Sequence, residues 1–102
     1  GPLFFAATGQ FSESFADLGN THALILSMRG VPLIDSAGIE AIHKLHIRLQ
    51  KNGGTLMFAG IHDNAKQMME RGGLVQAIGE ENFFWSSDQA IVEAERRACQ
   101  FC

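Results

Sequence analysis

The sequence of 102 residues has little of what would assign it to several large classes of protein. Two cysteines cannot build a disulfide scaffold, so we expect a reducing compartment. Lysine and arginine number 8 against 11 aspartates and glutamates, whereas nucleic-acid binders usually carry a marked basic excess. The longest apolar runs fall far short of the ~20 residues needed to cross a bilayer. The sequence therefore predicts neither a disulfide-rich, a nucleic-acid-binding nor a membrane-spanning chain.

Motifs of the common enzyme classes are also missing. The sequence has no Gly-x-x-x-x-Gly-Lys-Ser/Thr phosphate loop, no Gly-x-Gly-x-x-Gly dinucleotide motif and no Gly-x-Ser-x-Gly hydrolase elbow. His43 and His46 lie three apart on a predicted helix, but no further ligand accompanies them, which disfavours a metal site. Cys99 and Cys102 follow a predicted helix, whose C-terminal dipole does not activate a thiol. We predict a protein without catalytic activity, metal or tightly bound cofactor.

What the sequence does contain is an alternation of short apolar runs with amphipathic stretches. The runs with the length and composition of strands are 1–5, 23–28, 55–59 and 82–85. The stretches with helical periodicity are 8–18, 35–52, 63–71 and 86–98. Asp63 or Asn64 is expected to cap the third helix, and the run 74–78 is ambiguous. Strands that alternate with helices indicate an α/β domain with a largely parallel sheet.

The segment 31–39 joins a buried strand to the longest predicted helix. It delivers Asp35 and Ser36 to the helix N-terminus, where free N–H groups and the helix dipole favour an anion such as phosphate. The simpler interpretation is that Asp35 or Ser36 caps the helix, while Gly38 permits close packing against the sheet. Asp35, Ser36, Ala37 and Gly38 are thus the candidate regulatory or anion-binding loop, with capping as the alternative.

A basic stripe is predicted on the outer side of the same helix. Lys44, Arg48 and Lys51 follow i, i+4, i+7 spacing opposite the apolar side, and Ile47 lies beside them. An exposed β-branched residue next to cations is typical of a contact patch. The stripe would suit an acidic protein of the acyl carrier type, or anionic lipid head groups. A solvated helix face is the alternative interpretation.

Together these segments resemble the STAS domain, which SulP-type sulfate transporters and anti-sigma-factor antagonists share. The segments that carry the resemblance are Gly-Pro-Leu-Phe-Phe-Ala-Ala at 1–7, then 24–34, Asp-Ser-Ala-Gly-Ile at 35–39, 53–60, 72–74, Phe83 and 88–90. The resemblance implies an α/β, STAS-like fold with a mixed, mostly parallel β-sheet of about four strands packed with about four α-helices. It covers 1–102 as a single domain. The opening Gly-Pro-Leu-Phe-Phe is similar to the transporter branch, in which it follows a first strand, so we expect a fragment of a longer membrane transporter in which this strand is missing or truncated.

The resemblance implies a non-catalytic regulatory domain at the cytoplasmic face of the inner (plasma) membrane. Its transporter would be a SulP-type secondary carrier of sulfate, bicarbonate, dicarboxylate or a similar anion. The implied partners are the transmembrane part of the same transporter and a second copy in a homodimer, with at most weak nucleotide or phosphate binding. The alternative is a free-standing anti-sigma-factor antagonist that binds a kinase. In that branch a regulatory Ser or Thr directly precedes the loop glycine, where this sequence has Ala37.

Overall fold

The computed structural model describes residues 3–6 and 22–99. The strands of this part are β1 (Leu3–Ala6), β2 (Ala23–Ser27), β3 (Thr55–Ala59) and β4 (Phe83–Phe84). The helices are α1 (Ser36–Lys51), α2 (Asp63–Arg71), α3 (Leu74–Ile78) and α4 (Ser87–Cys99), with a 3₁₀ turn at Glu80–Asn82. The strands form one sheet in the order β1-β2-β3-β4, and every neighbouring pair is parallel. The expected α/β fold with a mostly parallel sheet is confirmed.

The central strands β2 and β3 are covered by helices on both faces, as their nearly continuous apolar runs predict. The residues that pack beneath α1, α2 and α3 are Leu24, Leu26, Leu56 and Phe58. The residues on the opposite face, beneath α4, are Ala23, Ile25, Met57 and Ala59. Helix α4 contributes the fully buried Ala90 and Ala94, whose small side chains let it lie close to the sheet. The sheet is therefore the middle of three layers.

Helix α1 has nearly the ends that the sequence predicts. It begins one residue after Asp35 and ends one residue before Asn52. Its apolar stripe is buried at Ile42, Leu45 and Leu49, as the 3.6-residue period requires. The predicted helix over 8–18 lies outside the described residues.

Three local predictions differ from the structure. The residue before α2 is His62, so neither Asp63 nor Asn64 is its cap, and Asp63 instead lies in the first turn, where its charge complements the helix dipole. The ambiguous run 74–78 is helix α3, which begins after Gly73 in a left-handed conformation (φ +78°). Strand β4 has two residues rather than four. It is shorter because Asn82 belongs to the 3₁₀ turn. The buried side chain of Asn82 donates a hydrogen bond of 2.7 Å to the carbonyl of Ile78.

Candidate functional site

The loop between β2 and α1 is held by hydrogen bonds at both ends. The amide of Met28 donates a hydrogen bond of 2.8 Å to the carbonyl of Ala59, so the pairing with β3 continues for one residue after the end of β2. The amide of Val31 then donates a hydrogen bond of 3.0 Å to the carbonyl of Met28, which closes a turn. Val31 and Ile34 are buried in the core, whereas Leu33 between them is 68% exposed. The loop is thus anchored on two apolar side chains and presents a third to solvent.

Asp35 is the N-cap of α1. Its backbone is extended (φ −89°, ψ 178°), and its Oδ1 accepts a hydrogen bond of 2.8 Å from the amide of Gly38. The carbonyl of Asp35 accepts the first helical hydrogen bond, from Ile39 at 3.0 Å. A carboxylate therefore occupies the place that an external anion would take at this helix terminus. The capping interpretation of Asp35 is confirmed by this geometry.

The other residues of the candidate loop lie in the first turn of α1. Ser36 and Ala37 are exposed, and Gly38 is half-buried. The hydroxyl that precedes the loop glycine in the antagonist branch is replaced here by the Ala37 methyl group. The loop consequently presents one exposed hydroxyl, that of Ser36, two residues before the glycine.

The basic stripe lies on the solvent side of α1, as predicted. Lys44, Arg48 and Lys51 are exposed, and Ile47 is 36% exposed beside them. Lys44 Nζ lies 3.8 Å from Glu40 Oε1 one turn earlier, an exposed ion pair. Arg48 and Lys51 also occupy the last turn of the helix, where positive charge interacts favourably with the helix dipole. The structure brings the four stripe residues together on one face and places two of them where their charge complements the helix dipole.

The histidines are dispersed in the described residues. His43 is exposed and His46 half-buried, and the pKa of His46 is lowered by this partial burial and by the neighbouring charge of His43. His62 Nε2 lies 2.7 Å from the carbonyl of Arg29, and His22 Nε2 is buried without a partner among the described residues. No three His, Cys, Asp or Glu side chains of residues 22–98 are grouped as a metal site. The Cys99–Cys102 pair lies outside the residues whose side chains are described.

Helix α4 is joined to the 3₁₀ turn by a network of charged hydrogen bonds that the sequence did not predict. Glu93 accepts from Arg96 Nε at 2.8 Å and Nη2 at 2.6 Å, and from Arg97 Nε at 2.8 Å. Arg97 Nη1 also donates to Asn82 Oδ1 at 2.6 Å. These hydrogen bonds from Arg96 and Arg97 lower the pKa of Glu93 to about 2. The i, i+3 and i, i+4 spacing was visible in the sequence, but the contact with Asn82 required the fold.

The sequence analysis also missed a cavity at the carboxyl ends of β3 and β4. Its volume is about 390 Å³, and Lys66, Glu80, Phe83 and Trp85 are among its lining residues. Trp85 is 87% exposed. The signal in the sequence was the run Phe83-Phe84-Trp85, which we interpreted as a strand and not as the wall of a site.

Comparison with known proteins places the chain among the STAS domains. The family model of the STAS domain matches residues 1–90. A curated relative, YvdB of Bacillus subtilis (strain 168), whose name proposes a sulfate transporter, is 28% identical over 91 residues. That alignment covers 87% of this chain but 17% of YvdB, so the chain spans about a sixth of the length of this relative.

Solved structures agree with this placement. A sulfate transporter family protein from Wolinella succinogenes is 28% identical, with a TM-score of 0.78 over 92% of this chain and 84% of that one. The SulP transporter STAS domain from Vibrio cholerae has the same fold at 21% identity, with a TM-score of 0.79 over 95% and 83%. The murine anion transporter Slc26a9 is 28% identical over 82% of this chain and 14% of its own, with a TM-score of 0.69. No helix within the described residues has the length and apolar character to span a bilayer.

Proposed function

The chain belongs to the STAS domain family, and from this premise we propose that it is the non-catalytic, cytoplasmic regulatory domain of a SulP-type anion transporter. The alignment with YvdB carries the proposal, because it matches most of this chain to a sixth of a protein named for sulfate transport. Slc26a9 supports the same interpretation, since this chain likewise matches a small part of an anion transporter. The first partner is then the transmembrane part of the same polypeptide.

The loop and the stripe have separate parts in this proposal. Asp35 fixes the start of α1 through Gly38, so the loop is a rigid platform whose exposed Leu33 and Ser36 are available for contact. The stripe of Lys44, Ile47, Arg48 and Lys51 binds an acidic cytosolic protein of the acyl carrier type or, failing that, anionic lipid head groups. A homodimer contact and weak nucleotide or phosphate binding remain expectations from the family resemblance alone.

Anion uptake by the full-length polypeptide tests the proposal. The full reading frame is expressed and reconstituted in proteoliposomes, and uptake of labelled sulfate, bicarbonate and a dicarboxylate is compared with that of a polypeptide lacking residues 1–102. We expect uptake of at least one anion by the full polypeptide, at a rate that the deletion changes by several-fold. Equal rates with and without the domain contradict a regulatory role, and absence of uptake of every anion contradicts the transporter assignment.

A further inference from the structure

The cavity beyond β3 and β4 lies where parallel sheets commonly bind ligands, outside the carboxyl ends of the strands. Gly60, directly after β3, forms part of its lining, and Trp85, directly after β4, forms another part. Gly60 has φ +66°, and a Cβ atom built on it would lie 2.7 Å from Arg29 Cγ. The side chain of Arg29 therefore lies against Gly60, and a larger residue at position 60 would push it aside.

The aromatic wall of the cavity is fixed before any ligand binds. Phe83 stacks on the buried Phe58, with ring centroids 4.9 Å apart and planes 15° apart. The carbonyl of Phe84 accepts a hydrogen bond of 3.0 Å from the amide of Gly60. The amide of Trp85 donates to Gln89 Oε1 at 3.2 Å, which joins it to the first turn of α4. The backbone of Trp85 is thus held in place by a hydrogen bond, whereas its side chain is exposed to solvent.

The charged side chains of the lining favour a cation. Asp63 and Glu80 supply two carboxylates against the single ammonium of Lys66. Lys66 Nζ lies 2.5 Å from Glu80 Oε1 and 5.5 Å from the centroid of Phe83, so the cavity already holds one cation between a carboxylate and an aromatic ring. Within residues 22–98, the carboxylate of Asp63 has no hydrogen bond or ion pair. A second carboxylate and a second ring, that of Trp85, are therefore available in the same cavity.

We propose that this cavity and Trp85 form a docking site for a basic polypeptide, which places an arginine or lysine side chain against the Trp85 indole and the Asp63 carboxylate. Indole is the strongest cation–π partner among the side chains, and two lining carboxylates repel a phosphate-bearing ligand. A polypeptide fits better than a small cation, because a ligand confined to the cavity would leave most of the Trp85 surface in water. Tryptophan is also among the residue types enriched in the hot spots of protein interfaces.

This docking site shares no residue with the stripe on α1. Its test also does not depend on the transporter assignment. The chain has one tryptophan and no tyrosine, so its fluorescence reports on Trp85 alone above a weak phenylalanine background. The probe is a ten-residue peptide of alternating glycine and arginine, titrated into the protein at low salt. We expect a saturable change in the emission of Trp85 that weakens several-fold at about 0.5 M salt, where exposed charges are screened.

Three further ligands identify what the site recognises. A peptide of alternating glycine and glutamate, ATP and spermidine are titrated under the same conditions. We expect no saturable response to the acidic peptide or to ATP, and a weaker response to spermidine than to the basic peptide. A saturable response to ATP, or spermidine binding as tight as that of the peptide, would overturn the proposal, and so would silence with the basic peptide.

Two matched variants on α2 separate the site from general charge. Asp63→Asn removes the carboxylate of the proposed site, and Glu70→Gln removes an exposed carboxylate near the other end of the same helix. We expect Asp63→Asn to weaken peptide binding by about 3-fold or more, and Glu70→Gln to leave it unchanged. Circular dichroism confirms that both variants are folded. Equal weakening by the two variants would show attraction to overall negative charge and would refute the docking site.

Discussion

Oδ1 of Asp35 accepts a hydrogen bond of 2.8 Å from the amide of Gly38, so helix α1 has its own anion at its N-terminus. This contact gives Asp35 a structural role, because its carboxylate satisfies one of the N–H groups that a helix leaves free. An external phosphate at this place would have to compete with a covalently attached carboxylate.

The cap predicts a specific loss of stability. Asp35→Ala should lower the free energy of unfolding by about 1 kcal/mol, and Asp35→Asn by much less, because asparagine also accepts from the helix N–H groups. The measurement is urea unfolding followed by circular dichroism. The control is Asp63→Ala, which removes a first-turn acid of α2 that is not its cap. A loss from Asp35→Ala no larger than that from the control would contradict the capping role.

The methyl group of Ala37 predicts that the loop is not a phosphorylation switch. Incubation with a kinase of the antagonist branch, followed by mass spectrometry, should find no phosphate on residues 31–39. The Ala37→Ser variant supplies the missing hydroxyl and serves as the comparison. Stoichiometric phosphorylation of Ser36 in the unmodified chain would refute this prediction.

The stripe predicts a partner that is sensitive to charge reversal. Arg48→Glu combined with Lys51→Glu should abolish binding to an acyl carrier protein, or to anionic liposomes, at low salt. The matched control is Arg71→Glu, which reverses an exposed charge in the last turn of α2. Pull-down and liposome sedimentation measure the two partners separately. Binding that persists in the double variant would remove the stripe from the proposed function.

The network around Glu93 predicts how stability changes in acid. The pKa of Glu93 is about 2 in the folded chain, below its ordinary value of 4.5, because Arg96 and Arg97 donate hydrogen bonds to the carboxylate. The unfolded chain therefore binds a proton at higher pH than the folded chain. This contribution is complete above pH 4.5 and is lost as the pH falls toward 2. Glu93→Gln should flatten the decline of the unfolding midpoint between these pH values, and an unchanged slope would contradict the network.

The sequence predicted the central part of the fold and the cap, and the physical reasons are local. The runs that became β2 and β3 are apolar except for Ser27 and Thr55, and α1 combines a cap, a 3.6-residue stripe and a terminating glycine pair, so each signal lies within one segment. The short elements were harder. Helix α3 and strand β4 have five and two residues, too few for periodicity to appear, and tertiary contacts such as that of Asn82 with Ile78 fix them.

The candidate site residues also fall into those that the sequence predicted and those that it did not. Spacing along one helix was sufficient to predict the exposed stripe of Lys44, Ile47, Arg48 and Lys51. The cavity could not be predicted, because Asp63 and Lys66 of α2, Glu80 of the 3₁₀ turn and Trp85 after β4 come together only in the folded chain. The exposure of Trp85 is likewise a property of the fold, since tryptophan in an aromatic run is usually buried.

The complete reading frame tests most directly whether this domain acts as part of an anion transporter. Sequencing the coding region on both sides should reveal several apolar runs of ~20 residues in the same polypeptide, as the alignment with a sixth of YvdB leads us to expect. A reading frame that starts and stops close to residues 1 and 102 without any such run would contradict it.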